Sequence, residues 1–425
     1  MSASAVKASV RFSRPEIVLL ALMASINFSH IVDFVIMMPL GPILMKTFQI
    51  DPKQFGFLVS AYTFAAGLSG FLSAFFIDRF DRKTCLMFFY TGFGIGTVAC
   101  GLAPTYELLV TARFITGLFG GVLGSLVLSI VSDTISYERR GSAMGIVMGS
   151  FSLASVVGVP LGLKLATVFD WHIPFLSLGG LSLLLLGVTA FVLPRMKGHL
   201  GSRRATAVDT LKNIANSRPQ KLALAFMFSL VLGQFTIITY LSQSFVANAG
   251  LREDQLFLIY MIGGTCTIFA SPIVGRLADK YSKHRIFSIS ALISLIPIFI
   301  ITNLGPHPTW MLLLISSSFF IVMSGRMVPG MTLISSVAPP EFRGSFMSFL
   351  NCVQQFTAAM AAFIAGLIVE DHGGHFVHYE KVGYIAIVFS LLAIYIAQKL
   401  PRGQVMPGAA VTTPGPGPVL ENRAP

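Results

Sequence analysis

Asp33 lies past the midpoint of an apolar stretch, Ile17 to Met45, whose other side chains carry no formal charge. A carboxylate at membrane depth is costly, and such groups usually serve ion, proton or substrate pathways. Arg113, inside the fourth apolar stretch, offers it a partner. Counted along helices rising 1.5 Å per residue, Arg113 sits ~10 Å from the outer end of its stretch and Asp33 ~24 Å from the inner end of its own. Both depths fall in the outer half, so the two can pair. If Asp33 takes up a proton its hold on Arg113 weakens, and proton and substrate then compete for one state, which is the physical core of antiport. The alternative is a purely structural pair kept for packing specificity.

Other polar residues are candidates around this pair. His30 and Asn27 precede Asp33 at three-residue spacing, so all three share a broad helix face. The imidazole titrates near neutrality, which suits His30 to proton relay or substrate contact, with a hydrogen-bonded structural histidine as the other reading. Thr236, Tyr240 and Gln243 recur at helical spacing in the seventh stretch and form a candidate substrate-cavity face with Asn27. Arg326, in the tenth, has no acid at its depth, and Asn351 and Gln354 of the eleventh are its nearest candidates for hydrogen bonds. It contacts an anionic substrate group, bonds structurally to carbonyls, or lies nearer a helix end than the pattern implies.

The elements that must position these residues follow from composition. The chain has 425 residues, 54% hydrophobic and only 11% charged, with a mean hydropathy of +0.77, a balance that excludes a soluble globular core. Apolar stretches run Ile17–Met45, Phe55–Ile77, Leu86–Ala103, Leu108–Ser132, Ser142–Val168 and Ile173–Leu193, then Leu222–Val246, Leu256–Ala278, Ile286–Leu304, Trp310–Val337, Phe346–Val369 and Val382–Ala397. Each approaches the ~20 residues that cross a bilayer as a helix. The expected fold is therefore an all-α membrane protein of twelve transmembrane helices. The first stretch is too long for a signal-peptide core and is read as a retained helix.

The net charge of +12 is concentrated in alternate short loops. That distribution reads as topology rather than nucleic-acid binding, and it places both termini in the cytoplasm. Expected units are a cytoplasmic N-terminal arm (1–16), a six-helix bundle (17–194), a cytoplasmic linker (195–221), a second six-helix bundle (222–400) and a disordered tail (401–425) rich in Pro, Gly and Ala. The halves repeat: Glu138, Arg140, Gly141, Ser142 and Met144 are matched 203 residues later by Glu341, Arg343, Gly344, Ser345 and Met347. Asp78 is matched 201 residues later by Asp279. Such spacing implies a duplicated, pseudo-symmetric bundle.

With these motifs in place the chain resembles the major facilitator superfamily, and within it the twelve-span drug/proton antiporters. The stretch Gly70 to Lys83 is similar to the family's loop between spans two and three, G-x-x-x-D-R-x-G-R-K. Asp78, Arg79, Arg82 and Lys83 match, whereas Ala74 and Asp81 stand where the family has glycines. The second copy, Gly275 to Lys280, keeps the glycine and Asp279 but not the arginines, with Lys283 following. Resemblance implies that Arg82 pairs with Asp133 and that these charges gate the cytoplasmic side. Asp78 can also accept bonds from free N–H groups at a neighbouring helix N-terminus. The run Arg113 to Gly117 resembles the family's span-four motif, and the family places spans one and four on the central cavity. Gly145, Gly149, Gly158, Pro160 and Gly162 resemble the glycine/proline motif of antiporters, with Val159 inserted in its G-P pair.

Several classes fall away. Cys85, Cys100, Cys266 and Cys352 have neither zinc nor disulfide spacing and read as buried thiols. Glu370, Asp371, His372, His375 and His378 crowd one outer loop, which is read as solvated rather than metal-binding. Most of the 37 Phe and 18 Met are expected to face lipid or neighbouring helices. No Walker loop is present, so neither enzyme activity, ATP hydrolysis nor a cofactor is expected. The reading is a monomeric secondary transporter of the inner or plasma membrane, working by alternating access. Its partners are a small amphiphilic or sugar-like solute, protons and the lipid bilayer, and the expected task is proton-coupled export. Uptake, lipid translocation, and a non-transporting receptor or scaffold remain alternatives.

Overall fold

A computed structural model describes residues 12–196, 207–339 and 342–401. Among them twelve helices are long and apolar enough to cross a membrane. The first six are Arg14–Ile36, Pro52–Ser73, Arg82–Gly101, Tyr106–Thr134, Arg139–Val168 and His172–Val192; the second six are Arg218–Ala247, Glu253–Lys280, Lys283–Thr302, Thr309–Ser335, Arg343–Ile368 and Tyr379–Lys399. They are spans one to twelve below. Large apolar side chains such as Phe191, 92% exposed, cover the outside, a surface that lipid solvates.

Local chemistry sets the helix starts. Asp51 accepts a bond from Gln54 N at 2.7 Å while the Gln54 side chain accepts from Asp51 N at 3.0 Å, with Pro52 in the first turn. This reciprocal cap fixes the start of span two. Asp81 caps span three and Ser217 caps span seven by one-way bonds, accepting from Thr84 N at 3.0 Å and Gln220 N at 3.4 Å.

Four spans are interrupted, span four only by a turn at Gly121–Val122. Span one ends at Ile36, and after the turn at Met37–Leu40 a short helix, Gly41–Phe48, replaces the continuous helix expected to Met45. Pro39 has no N–H to give the preceding turn, and Pro42 suits the first turn of a new helix. Span seven likewise breaks after Ile238 and resumes at Leu241. These breaks lie at equivalent positions of the two repeats, after Ile36 and after Ile238. Span five carries a π-helical turn, Ala154–Gly158, that ends two residues before Pro160. The stretch expected as linker holds a further helix, Ala207–Asn216, whose Ile214 packs into the second bundle.

The two bundles meet along spans two and eleven and along spans five and eight. At the end away from the termini a single apolar core joins both, including Ile36, Leu40 and Phe55 with Ile237, Tyr240 and Phe376. At the terminal end the cores are separate, one confined to the first bundle and one built mainly from the second. The protein is therefore sealed at its distal end and divided at its terminal end.

Candidate functional site

Asp33 and Arg113 meet in the first bundle. Arg113 Nη1 donates to Asp33 Oδ2 at 2.8 Å and to the Asp33 carbonyl at 3.3 Å. Thr97 of span three donates to Oδ1 at 3.3 Å, and the guanidinium lies 4.1 Å from the ring centroid of Tyr62 in span two. Asp33 is 0% and Arg113 1% exposed, so both ions have exchanged water for each other and for these neighbours. Neither Thr97 nor Tyr62 stood out in the sequence. Hydroxyls in apolar helices commonly bond their own backbone, as Thr116 does to the Ala112 carbonyl at 2.7 Å, so helical position alone does not mark one as a ligand.

Next to the pair lies an underused polar surface. Both His30 ring nitrogens and the Tyr62 hydroxyl are buried without a hydrogen-bond partner. Both side chains bracket Gly120, where a Cβ would lie 2.7 Å from the Tyr62 hydroxyl and 3.5 Å from His30 Cδ2. Phe34 stacks on Tyr62 at 5.7 Å and on Phe235 of span seven at 6.1 Å. This aromatic row connects the ion pair's surroundings to the seam between the bundles.

Other expected cavity residues are placed differently. Asn27 bonds Ser150 Oγ at 2.8 Å, tying span one to span five. Thr236 is consumed by its own helix, donating to the Leu232 carbonyl at 2.9 Å. Tyr240 occupies the break in span seven and donates across the bundles to the Pro52 carbonyl at 2.5 Å. Gln243 presses against Gly41, 202 residues earlier and related by the repeat. Tyr240 and Gln243 thus belong to the distal seal, because the helix break turns them toward the first bundle. Gln243 also borders a distal cavity of about 650 Å³ with Lys46, Asp51 and Glu253. Asn351 is exposed and Gln354 half-buried. Neither bonds Arg326; Ser390 of span twelve does, at 2.9 Å.

At the terminal end, Arg82 is buried between Asp78 at 2.7 Å and Asp133 at 3.3 Å. Asp78 thus lies on this guanidinium in place of the helix N-terminus expected for it. The reason is local: Asp78 follows a tight turn, four residues before Arg82, while the neighbouring bundle's core is separate at this end. Arg79, Asp279 and Arg343 are exposed. Lys283 and Arg140 are half-buried, and Glu341 and the Glu138 side chain lie outside the described residues. Asp81, where the family has glycine, accepts bonds from Met196 N at 2.7 Å and Thr84 N at 3.0 Å, fastening the chain after span six to the start of span three. Burial pushes its pKa up, but the amides of Thr84, Met196 and Lys83 outweigh that and hold it below the ordinary aspartate value.

The glycine motif divides. A Cβ on Gly158 would lie 2.2 Å from Val32 Cγ2, and one on Gly162 would lie 2.1 Å from Ile36 Cδ1, so these two glycines seat span one. Gly149 does not: a Cβ there meets nothing within 4 Å. Pro160 follows the π-helical turn and opens the helix Val159–Val168. Glu370, Asp371, His372 and His375 are exposed on a hairpin of β1 (Glu370–Asp371) and β2 (Phe376–Val377), and the half-buried His378 follows it. A lateral cavity of about 690 Å³ between spans two, four and eleven is walled by Phe57, Phe64, Phe114, Phe356 and Phe363.

Comparison with known proteins decides the family. The sequence profile of the Major Facilitator Superfamily matches residues 22–265 and 224–408. The chain belongs to this superfamily. Its members are transporters of small molecules rather than enzymes, and with twelve spans this one is a multi-pass protein of the inner or plasma membrane. It is 25% identical over 370 residues to the uncharacterized MFS-type transporter YceJ of Bacillus subtilis, covering 86% of this chain and 92% of the relative. It is 22% identical over 363 residues to a probable sugar efflux transporter of Helicobacter pylori strain P12, covering 83% and 87%. Similar folds occur in a bacterial homolog of the human lysosomal transporter Spinster (TM-score 0.73, 14% identity, 92% and 97% covered) and in the nucleoside transporter NupG (TM-score 0.71, 16% identity, 90% and 99% covered).

Proposed function

We propose that this superfamily member is a proton-coupled exporter of a small amphiphilic or sugar-like solute, working by alternating access of its two bundles. The observation that carries the reading is the fully buried Asp33–Arg113 pair, in which one protonation event frees a guanidinium beside unpartnered His30 and Tyr62. In this reading Asp33 carries the proton, Arg113 holds it poised, and His30 with Tyr62 contacts proton or solute. The charges around Arg82 hold the terminal-side gate within the first bundle. Similarity to a probable sugar efflux transporter supports both direction and solute class.

Proteoliposomes with a trapped pH indicator test it against a panel of sugars and amphiphiles. Solute moving in one direction is expected to drive protons in the other, and Asp33→Asn, still folded, is expected to abolish that coupling. Unchanged proton-coupled flux in Asp33→Asn would overturn the assignment, and solute and proton moving together would reverse the direction.

A further inference from the structure

Arg326 is 0% exposed in the middle of the second bundle. Its Nη1 donates to Ser390 Oγ at 2.9 Å, while Nε and Nη2 are buried with no partner, and no carboxylate pairs with it among the described residues. The contrast with the first bundle is sharp, since Arg113 has Asp33 and Arg82 has Asp78 and Asp133. Arg326 therefore leaves the buried interior with one uncompensated positive charge. Arginine does not shed its proton in proteins, so an unpaired buried guanidinium calls for an anion and not for neutralisation.

The surroundings of Arg326 place it at a helix junction. Ser390 Oγ lies 3.2 Å from where a Cβ on Gly233 of span seven would be. One turn along span ten, Gly330 faces Leu230 and Phe226, also of span seven. The guanidinium thus stands at the junction of spans seven, ten and twelve. Gln234, next to Gly233, has its buried amide oxygen Oε1 without a partner, an acceptor that can take a hydrogen bond from a solute N–H or O–H but not from an anion. Phe235, the following residue, meets Phe34 across the seam. We propose that Arg326 is an anion-recognition site, its free N–H donors taking a carboxylate or phosphate oxygen pair as a guanidinium fork does. The anion is either the charged group of the transported solute, which narrows the substrate class to organic acids and phosphorylated or acidic sugars, or a resident inorganic ion. The first source rests on the seam being the solute path. Proton flux in Asp33→Asn tests that reading separately and leaves Arg326 untouched.

The test is thermal unfolding of the purified full chain at low ionic strength, titrated with sodium acetate and with inorganic phosphate, in wild type and in Arg326→Gln. A saturable rise of several degrees is expected in the wild type and none in Arg326→Gln, which controls for general salt effects. The variant is also expected to be at least as stable as wild type without anion, since it removes an unpaired buried charge and not a needed bond. If Arg326→Gln does not fold, Arg326→Lys replaces it, with a smaller rise expected because the fork is lost. An organic acid that adds to the rise and competes with phosphate identifies the solute as the source; a response to inorganic ions alone identifies a resident ion. A wild type indifferent to both anions, or a variant with an undiminished response, would overturn the proposal.

Discussion

Removing the charge of Asp33 while keeping its shape isolates a guanidinium in the middle of the first bundle. Arg113 in Asp33→Asn would retain a carbonyl and an amide oxygen as neighbours but lose its counter-ion. Breaking a buried pair from one side costs about 3–5 kcal/mol. Adding Arg113→Gln removes the stranded charge, so the double variant is expected to regain most of that loss while remaining uncoupled. Denaturation of the single and double variants in mixed micelles checks this. A double variant no more stable than Asp33→Asn would show that the two residues do not form one energetic unit. The sequence exposes this pair because charges within apolar stretches are conspicuous and their depth can be counted. It leaves Thr97 and Tyr62 hidden, since their roles depend on how spans two and three rotate. It also leaves Arg326 without its real partner, because Ser390 is one hydroxyl among many.

Close approach of whole helices makes equally sharp demands. A Cβ at Gly158 would press on Val32, a stiff side chain, so Gly158→Ala is expected to cost about 1–3 kcal/mol by overpacking the contact between spans one and five. Gly149→Ala fills open space on a helix and is expected to gain about 0.5–1 kcal/mol from reduced backbone freedom. Unfolding midpoints of the two variants should therefore move in opposite directions. Both glycines belong to one motif on paper, and only packing separates them. Asp81 makes a second demand at this scale. Its folded pKa is depressed, so its contribution to stability is present above the ordinary aspartate value of 3.8 and is lost as pH falls through the folded value. Asp81→Asn is thus expected to lower the unfolding midpoint at neutral pH, with the gap from wild type closing in the acid range. A gap that persists below that range would assign the loss to shape rather than charge. The helices that begin at Pro52 and Arg218 start before the apolar stretches expected from Phe55 and Leu222, because polar capping turns carry no hydropathy signal. The π-helical turn ahead of Pro160 is also hidden, since proline marks a disruption without specifying its form.

At the level of the whole molecule, exchange between two openings requires that each end be only marginally closed. The distal end is held by a shared apolar core and by Tyr240, whose hydroxyl reaches the Pro52 carbonyl at the start of span two. No sequence pattern announces this seal, because its parts lie 188 residues apart and meet only when the bundles dock. The repeat did announce the symmetry beneath it, since the breaks in spans one and seven bring Gly41 and Gln243 together. Tyr240→Phe removes one inter-bundle hydrogen bond and keeps the ring packed on Phe55. A net loss of about 0.5–1.5 kcal/mol multiplies the distally open fraction about two- to tenfold. A cysteine replacing buried Leu40 of the same distal core, in a chain whose Cys85, Cys100, Cys266 and Cys352 have been replaced, reports that fraction by its rate of modification with a water-soluble maleimide. The rate is expected to rise severalfold when Tyr240→Phe is added. An unchanged rate would mean that the apolar core alone closes the distal end and that the Tyr240 bond does not contribute to the balance between the two openings.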